Sequence, residues 1–217
     1  MSFFRHNWFY IGMAIFIVLA MVTGIFYEQI GQLRVLLILN FMAMLAHQFE
    51  EYGIPGGFGA VSNVFVAKER EIPDRFPFNA NQTLFTNVSA WVYYLVAIIF
   101  AQVSWLALIV IFGIVLQFYQ HFFFVPRKLG RLYNPGFATT ILTLLPAAAA
   151  YLNYAIEHDM ITKNDVFYGV IGAVVFIVGC VVLPIRLMHS RDSQYPYTAD
   201  EMNKPYVLWL TKQLKDK

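Results

Sequence analysis

The sequence predicts an all-α membrane protein whose chain crosses the bilayer six times. Hydrophobic residues make up 59% of the 217 residues and charged residues only 13%, against roughly 25% charged residues in an ordinary soluble domain. A soluble protein of this length would have too few charges to cover its surface. Six apolar runs of about 20 residues, the length that spans a bilayer, account for more than half of the chain.

Each span can be justified from its own residues. The first run, Trp8–Tyr27, is too long for the apolar core of a secretory signal, so we predict that it is retained. The apolar stretch Leu84–Val125 is too long for one helix, and its least apolar point, Gln102–Ser104, predicts a tight hairpin. Pro146 and Pro184 lie inside the last two spans and predict a kink in each. The predicted spans are Trp8–Tyr27, Leu33–Tyr52, Leu84–Gln102, Ser104–Val125, Pro135–Tyr154 and Val166–Met188.

The predicted domain organisation is a six-helix domain over residues 1–190 followed by an amphipathic tail over residues 191–217. The longest connection is the loop over residues 53–83, in which Phe58, Val61 and Phe65 recur at helical spacing. This pattern predicts a short helix that lies in the membrane interface. The tail segment 206–214 is also amphipathic and is predicted to lie on the membrane.

The distribution of lysine and arginine predicts the orientation. An even number of spans places both termini on one side, and 13 of the 15 basic residues fall on that side; the exceptions are Arg34 and Lys163. Because basic residues favour the cytoplasmic face, we predict a multi-pass protein of the plasma or inner membrane with both termini and the long loop in the cytoplasm. The net charge of +2 gives no indication of a nucleic-acid partner, and none is expected.

Four ionisable residues inside the spans carry the functional prediction. His47, Glu50 and Glu51 lie at the end of the second span, and His121 lies near the end of the fourth. A charge at the centre of a span costs about 2.5 kcal/mol or more, adjacent glutamates repel each other, and a helix C-terminus disfavours negative charge. Three unfavourable terms at one place predict a compensating cation or proton.

Helix geometry predicts that these residues meet. Glu50 and Glu51 follow His47 by three and four residues, so both lie on its face of the helix. The second and fourth spans run in the same direction, and the two histidines lie five and four residues before the predicted span ends. His47 and His121 are therefore expected in one layer, roughly 6–8 Å below those ends.

The fifth span is predicted to start on the same side, at Tyr133-Asn-Pro-Gly136. Asn134 is a good helix cap, and Pro135 suits the first helical position. Free backbone N–H groups at such a helix start favour an anion. We therefore predict that Asn134, Gly136 and the nearby Arg131 bind an anionic part of the substrate, and that Tyr133 supplies a catalytic hydroxyl.

These residues together resemble the membrane proteins named for an HXXEE motif, a family of uncharacterised function. Its hallmarks are that motif, a further histidine and a Tyr-x-Pro-Gly motif. They correspond here, in the same order, to the segment His47-Gln-Phe-Glu50-Glu51, to His121 and to Tyr133-Asn-Pro-Gly136. The resemblance covers most of the chain in layout, and it implies no particular activity.

The favoured interpretation is a metal-dependent membrane hydrolase. His-x-x-Glu-Glu resembles the inverted zinc-protease pattern His-x-x-Glu-His, with glutamate in place of the second histidine. In this interpretation His47, Glu51 and His121 bind a divalent metal and leave one position open for water, while Glu50 is the general base. Zinc is the first expectation, and iron or manganese also fits the ligands. The expected substrate is a lipid, a lipid-linked molecule or a membrane peptide at the cytoplasmic leaflet.

Three alternatives stay open, and either glutamate fits the ligand role. A metal-free membrane protease of the CAAX-processing type also pairs adjacent glutamates with later histidines, but Pro55 stands where its motif has arginine. An ion or proton transporter is disfavoured because ionisable residues occur at only one depth and no internal repeat is visible. The third alternative is a structural or immunity-type membrane protein.

Overall fold

Six long apolar helices form the body of the protein. The structure, a computed structural model, describes residues 2–215, with the side chains of Leu214 and Lys215 left aside. Within this range the chain is helical with no strand, and six helices are long and apolar enough to cross a membrane, which confirms the predicted fold class. The helices are α1 (Ser2–Ile25), α2 (Gln32–Tyr52), α3 (Ala80–Ile99), α4 (Ser104–Leu129), α5 (Phe137–Glu157) and α6 (Lys163–Met188), followed by α7 (Pro205–Lys215) in the C-terminal segment.

The helix boundaries follow from local capping. The predicted hairpin between the third and fourth spans is confirmed, since α3 ends at Ile99 and α4 begins at Ser104. α3 begins four residues earlier than predicted because the side chain of Asn79 accepts a hydrogen bond from the Gln82 backbone N–H at 3.1 Å. α6 begins at Lys163 rather than Val166 because Thr162 and Asp165 form a capping box.

Three of the spanning helices contain a wide π-helical turn just before a proline. The turns are Tyr119–Phe124 in α4, Thr140–Leu144 in α5 and Ile177–Val182 in α6. A proline inside a helix removes a hydrogen bond and crowds the preceding turn, and a π turn relieves that crowding. The disturbance predicted at Pro146 and Pro184 therefore takes the form of a widened turn. Two of these turns carry residues of the site described below.

α2 is the central helix of the bundle. In its most apolar window 67% of the residues are buried, against 11% in α6. α1, α3 and α5 pack directly against α2, whereas α6 packs mainly against α4 at the periphery. The central position of α2 keeps His47, Glu50 and Glu51 away from the lipid-facing surface of the bundle, since all three residues are buried.

The long loop and the C-terminal helix cover one end of the bundle. The predicted short helix in the loop is present as Phe58–Ala60, which continues as a π-helical turn, Val61–Val66. Its apolar residues do not face outward: Val61 and Phe65 are buried against Tyr206 and Val207 of α7. The two amphipathic segments thus pack part of their apolar residues against each other, while Leu208 and Trp209 of α7 stay exposed. That the two segments lie on the membrane stays a prediction. Residues 216 and 217 of the predicted tail lie outside the described residues.

Both described ends of the chain lie at this covered end of the bundle. The His6 side chain of α1 lies 2.9 Å from the Glu201 carboxylate of the C-terminal segment, and Arg5 donates a hydrogen bond to Asn81 at the start of α3. This agrees with an even number of spans. That this end faces the cytoplasm stays a prediction.

Candidate metal centre

His47, Glu51 and His121 converge on one buried point. Their ligand-type atoms all lie within 4.8 Å of one another. The Glu51 Oε1 atom is 3.2 Å from His121 Nε2 and 3.8 Å from His47 Nε2. The two imidazole centroids are 4.8 Å apart, so the histidines do share one layer. Ligands around a tetrahedral zinc ion stand about 3.3 Å apart, and small shifts would therefore let these three residues hold a metal.

The tautomer of His121 is fixed by Asn134. The Asn134 side-chain amide donates to the backbone carbonyls of His121 and Leu132 at 2.9 and 3.1 Å. These bonds orient Asn134 Oδ1 toward His121 Nδ1, at 2.7 Å. An amide oxygen only accepts hydrogen bonds, so Nδ1 carries a proton, and in the neutral imidazole Nε2 presents its lone pair toward Glu51. Asn134, predicted to bind a substrate anion, instead orients a histidine.

His47 is held in the same tautomer by two threonines. Its Nδ1 atom lies 3.2 Å from Thr139 Oγ1 and 3.3 Å from Thr140 Oγ1. Both hydroxyl protons are used elsewhere, since Thr139 donates to the Glu50 carboxylate and Thr140 donates to the Gly136 carbonyl. The threonine oxygens must therefore accept from His47 Nδ1–H, and His47 Nε2 also presents a lone pair.

The two Nε2 atoms are the unusual feature of this cluster. Both are buried and have no hydrogen-bond partner among the residues described. The 3.2 Å separation between His121 Nε2 and Glu51 does not have hydrogen-bond alignment. Two lone pairs and a carboxylate oxygen that face one another in a buried site are unfavourable unless a cation lies between them. A divalent metal ion satisfies all three atoms at once.

Gly136 lies directly beneath both imidazole rings. Its φ of +97° favours glycine, and a Cβ atom added here would lie 2.5 Å from His121 Cε1 and 2.8 Å from His47 Cε1. The glycine of the Tyr-x-Pro-Gly motif therefore makes room for the two histidines. This close approach gives Gly136 a steric role, different from the anion-binding role predicted for it.

The start of α5 does bind an anion, and that anion is the side chain of Glu50. One carboxylate oxygen accepts hydrogen bonds from the Ala138 N–H at 3.2 Å and the Tyr133 hydroxyl at 3.1 Å. The other accepts from the Thr139 N–H at 2.7 Å and the Thr139 hydroxyl. The helix start that the sequence predicts as a substrate anion site is thus occupied from within the protein. Glu50 reaches His47 only through Thr139.

Tyr133 and Arg131 have different surroundings from those predicted. The Tyr133 hydroxyl donates to Glu50, and partial burial together with this carboxylate raises the pKa of Tyr133 well above its usual range, so that it stays a donor. The Arg131 guanidinium lies 4.6 Å from the Trp209 ring centroid and donates to Gln213 of α7. Arg131 therefore links the loop before α5 to α7 and is not part of the cluster.

A cavity of about 280 Å³ adjoins the cluster, and Glu51 forms part of its wall. The other walls come from α3, α4, α6, the loop helix and Tyr197. The α3 residues that line it were not among the predicted site residues. A sequence pattern does indicate them, because Gln82, Thr83, Thr86 and Asn87 recur at helical spacing in an otherwise apolar span. No comparable sequence pattern indicates Thr139 and Thr140, the threonines that orient His47.

A comparison with known protein families identifies the region of the chain that contains the cluster. A family model described as a protein of unknown function with HXXEE motif matches residues 38–151, which are 114 of the 217 residues. The matched region contains His47, Glu50, Glu51, His121 and the Tyr-x-Pro-Gly segment. No curated protein and no solved structure matches the chain.

Proposed function

This chain belongs to the family of proteins of unknown function with an HXXEE motif, and we propose that the motif contributes to a metal centre that hydrolyses a membrane-embedded substrate. The observation that best supports this proposal is the pair of buried Nε2 atoms without partners beside Glu51. Both histidines are held in the tautomer that a metal requires. Hydrogen-bonded outer partners of this kind are typical of metal-ligating histidines.

The donor set fits a catalytic rather than a closed structural site. Two neutral imidazoles and one carboxylate leave an open coordination position, and the adjoining cavity offers room for substrate beside Glu51. A divalent metal held here would activate water near neutral pH and polarise the bond to be cleaved. Zinc is the first candidate, and iron or manganese also fits histidine and carboxylate. At this end of the bundle, predicted to be cytoplasmic, a lipid, a lipid-linked molecule or a membrane peptide is within reach.

Hydrolysis can be tested before the substrate is known. We expect purified protein loaded with zinc, incubated in H₂¹⁸O with a total lipid extract or with membrane peptides, to generate ¹⁸O-labelled products by mass spectrometry. The His121→Ala variant should generate none, because it lacks a ligand that holds the metal. Labelled products from metal-free wild-type protein would instead favour the glutamate-type mechanism. No labelled product from either mixture, with metal bound, would contradict the proposal.

We further propose that Glu50 positions His47 rather than acting as the general base that the sequence predicts. Each of its oxygens already accepts two hydrogen bonds, from Ala138, Tyr133 and Thr139. A general base needs a free carboxylate oxygen within reach of the attacking water, and both oxygens of Glu50 are occupied by these donors. Through Thr139 the same carboxylate fixes the orientation of His47.

The two roles of Glu50 predict different metal affinities. If Glu50 acts as a positioning residue, Glu50→Gln and Thr139→Val should each weaken metal binding by about 10- to 100-fold, as for other outer-shell partners. The affinity is measured by competition with a chelating dye. Tyr133→Phe, which removes one of the four hydrogen bonds to Glu50, is the matched control with a smaller expected effect. Unchanged metal affinity in Glu50→Gln together with complete loss of hydrolysis would support the general-base role instead.

A further inference from the structure

The cavity beside Glu51 has a polar wall and an apolar wall. Its polar wall is formed largely by α3, with Gln82, Thr83, Thr86 and Asn87, and is completed by Gln117 and Gln120 of α4. Val181 and Ile185 of α6 form the apolar wall, and Leu116 and Phe124 of α4 add to the apolar lining. Because α6 is the outermost helix, the apolar wall lies toward the bilayer. A cavity of this kind suits an amphiphile, with its headgroup against α3 and its hydrocarbon part toward α6.

The polar wall consists of carboxamides and hydroxyls and offers no positive charge. Among the described residues that line the cavity, Glu51 is the only one with a formal charge. In the metal-free protein, a phosphate or carboxylate headgroup would enter without a lysine or arginine to pair with it and would face the charge of Glu51, which is unfavourable in a site of low dielectric. The helix start of α5, a natural anion site, is already occupied by Glu50.

Two atoms of this wall have no partner. Gln82 Oε1 and Thr86 Oγ1 are buried and form no hydrogen bond within the described part of the chain. Gln82 is 3% exposed, so leaving its carbonyl oxygen unpaired costs free energy. The two residues are four positions apart on α3, on one face of the helix. Both residues line the cavity, so a rotation of either side chain would present its oxygen to a hydroxyl group of a ligand there.

We propose that the cavity binds the uncharged polyhydroxyl headgroup of an amphiphile, such as a glycerol or sugar group linked to a hydrocarbon chain. The carboxamides and hydroxyls of α3 and α4 supply donors and acceptors for the headgroup, and the apolar wall contacts the first carbons of the chain. The inference depends on the proposed function only in naming this molecule as the substrate. Binding itself needs neither metal nor turnover.

Competitive binding tests the proposal with a matched pair of lipids. 1-Monooleoylglycerol and 1-oleoyl lysophosphatidic acid share the acyl-glycerol structure and differ by one phosphate. We expect native mass spectrometry of wild-type protein freed of metal with a chelator, in an equimolar mixture of the two lipids, to show at least about tenfold preference for monooleoylglycerol, since an unpaired buried charge costs more than one hydrogen bond. The preference should persist in the metal-free His121→Ala variant. Loss of the metal centre and loss of the headgroup site are thereby distinguished.

Variants of the polar wall provide the second arm of the test. Gln82→Leu and the milder Thr86→Val should each reduce monooleoylglycerol binding by about tenfold. Gln102→Leu makes the same change at an exposed position in the α3–α4 hairpin and should leave binding unaltered. Equal or stronger binding of lysophosphatidic acid by metal-free wild-type protein would overturn the proposal. So would Gln82→Leu and Thr86→Val proteins that are folded and bind monooleoylglycerol as the wild type does.

Discussion

Replacing His47 or His121 with alanine is expected to reduce bound metal from about one ion per chain to almost none, with the protein still folded in the membrane. Each change removes one of the three proposed metal ligands. Loss of an outer-shell partner alone weakens a metal site by about 10- to 100-fold, so loss of a ligand should exceed that range. Elemental analysis of protein purified in detergent measures the metal, and circular dichroism with size-exclusion chromatography checks the fold.

His158→Ala is the control for the histidine variants, because this exposed histidine follows α5 and contacts only Tyr154 of its own helix. It should keep the metal content of the wild type. His121→Gln, which retains a polar side chain of similar size, serves as a second variant if the alanine protein does not fold. Metal that survives changes at both His47 and His121 would show that the metal centre lies elsewhere in the protein.

Gly136→Ala is expected to separate the two imidazoles and lower metal affinity by more than about tenfold. The new methyl group would overlap both rings, at 2.5 and 2.8 Å from their Cε1 atoms, and the ligand positions must be correct within about 0.5 Å for a working site. The positive φ adds a stability cost of about 1–2 kcal/mol. Chelator competition measures the affinity, and the midpoint of thermal unfolding reports the stability.

Gly130→Ala separates these two effects of the Gly136 change. Gly130 also has a positive φ, +65°, but a Cβ atom added there would meet nothing within 4 Å. This variant should therefore lose stability from backbone strain while it keeps full metal affinity. If Gly136→Ala and Gly130→Ala bind metal equally well, the close approach of Gly136 to the histidines has no role in shaping the site.

The depth of the two histidines could be predicted because it depends on local geometry alone. The rise per residue of a helix is fixed, and the predicted and observed ends of α2 coincide at Tyr52. α4 continues four residues past its predicted end, to Leu129, and the two rings still lie 4.8 Å apart. Helix geometry alone did not decide between Glu50 and Glu51, since both lie on the face of His47; the prediction of Glu51 as the ligand came from the resemblance to the zinc-protease pattern, and Glu51 is the glutamate found beside the two histidines. The choice between the two glutamates depends on where the start of α5 packs, and that is a tertiary contact.

The Tyr-x-Pro-Gly segment likewise has one property that local geometry predicts and others that depend on tertiary contacts. Free backbone donors at a helix start predict an anion, and an anion is found there, but it is Glu50 from a distant part of the chain. Arg131 was predicted to be part of this anion site because of its charge and position. Neither property reveals that Arg131 contacts Trp209 and Gln213 of α7. Thr139 and Thr140 contact His47 because of the way in which α5 packs against α2, and the sequence does not show this packing.

The contact between Glu50 and the start of α5 has a consequence for biosynthesis. Its two partners, the backbone N–H groups of Ala138 and Thr139, lie 88 and 89 residues further along the chain. When α2 leaves the ribosome, the residues that will stabilise the Glu50 carboxylate have not been made. We expect the C-terminal end of α2 to stay at the membrane surface, in contact with water, until the fifth helix is inserted. A chain that ends before α5 should therefore have an unstable second span even though that span is complete.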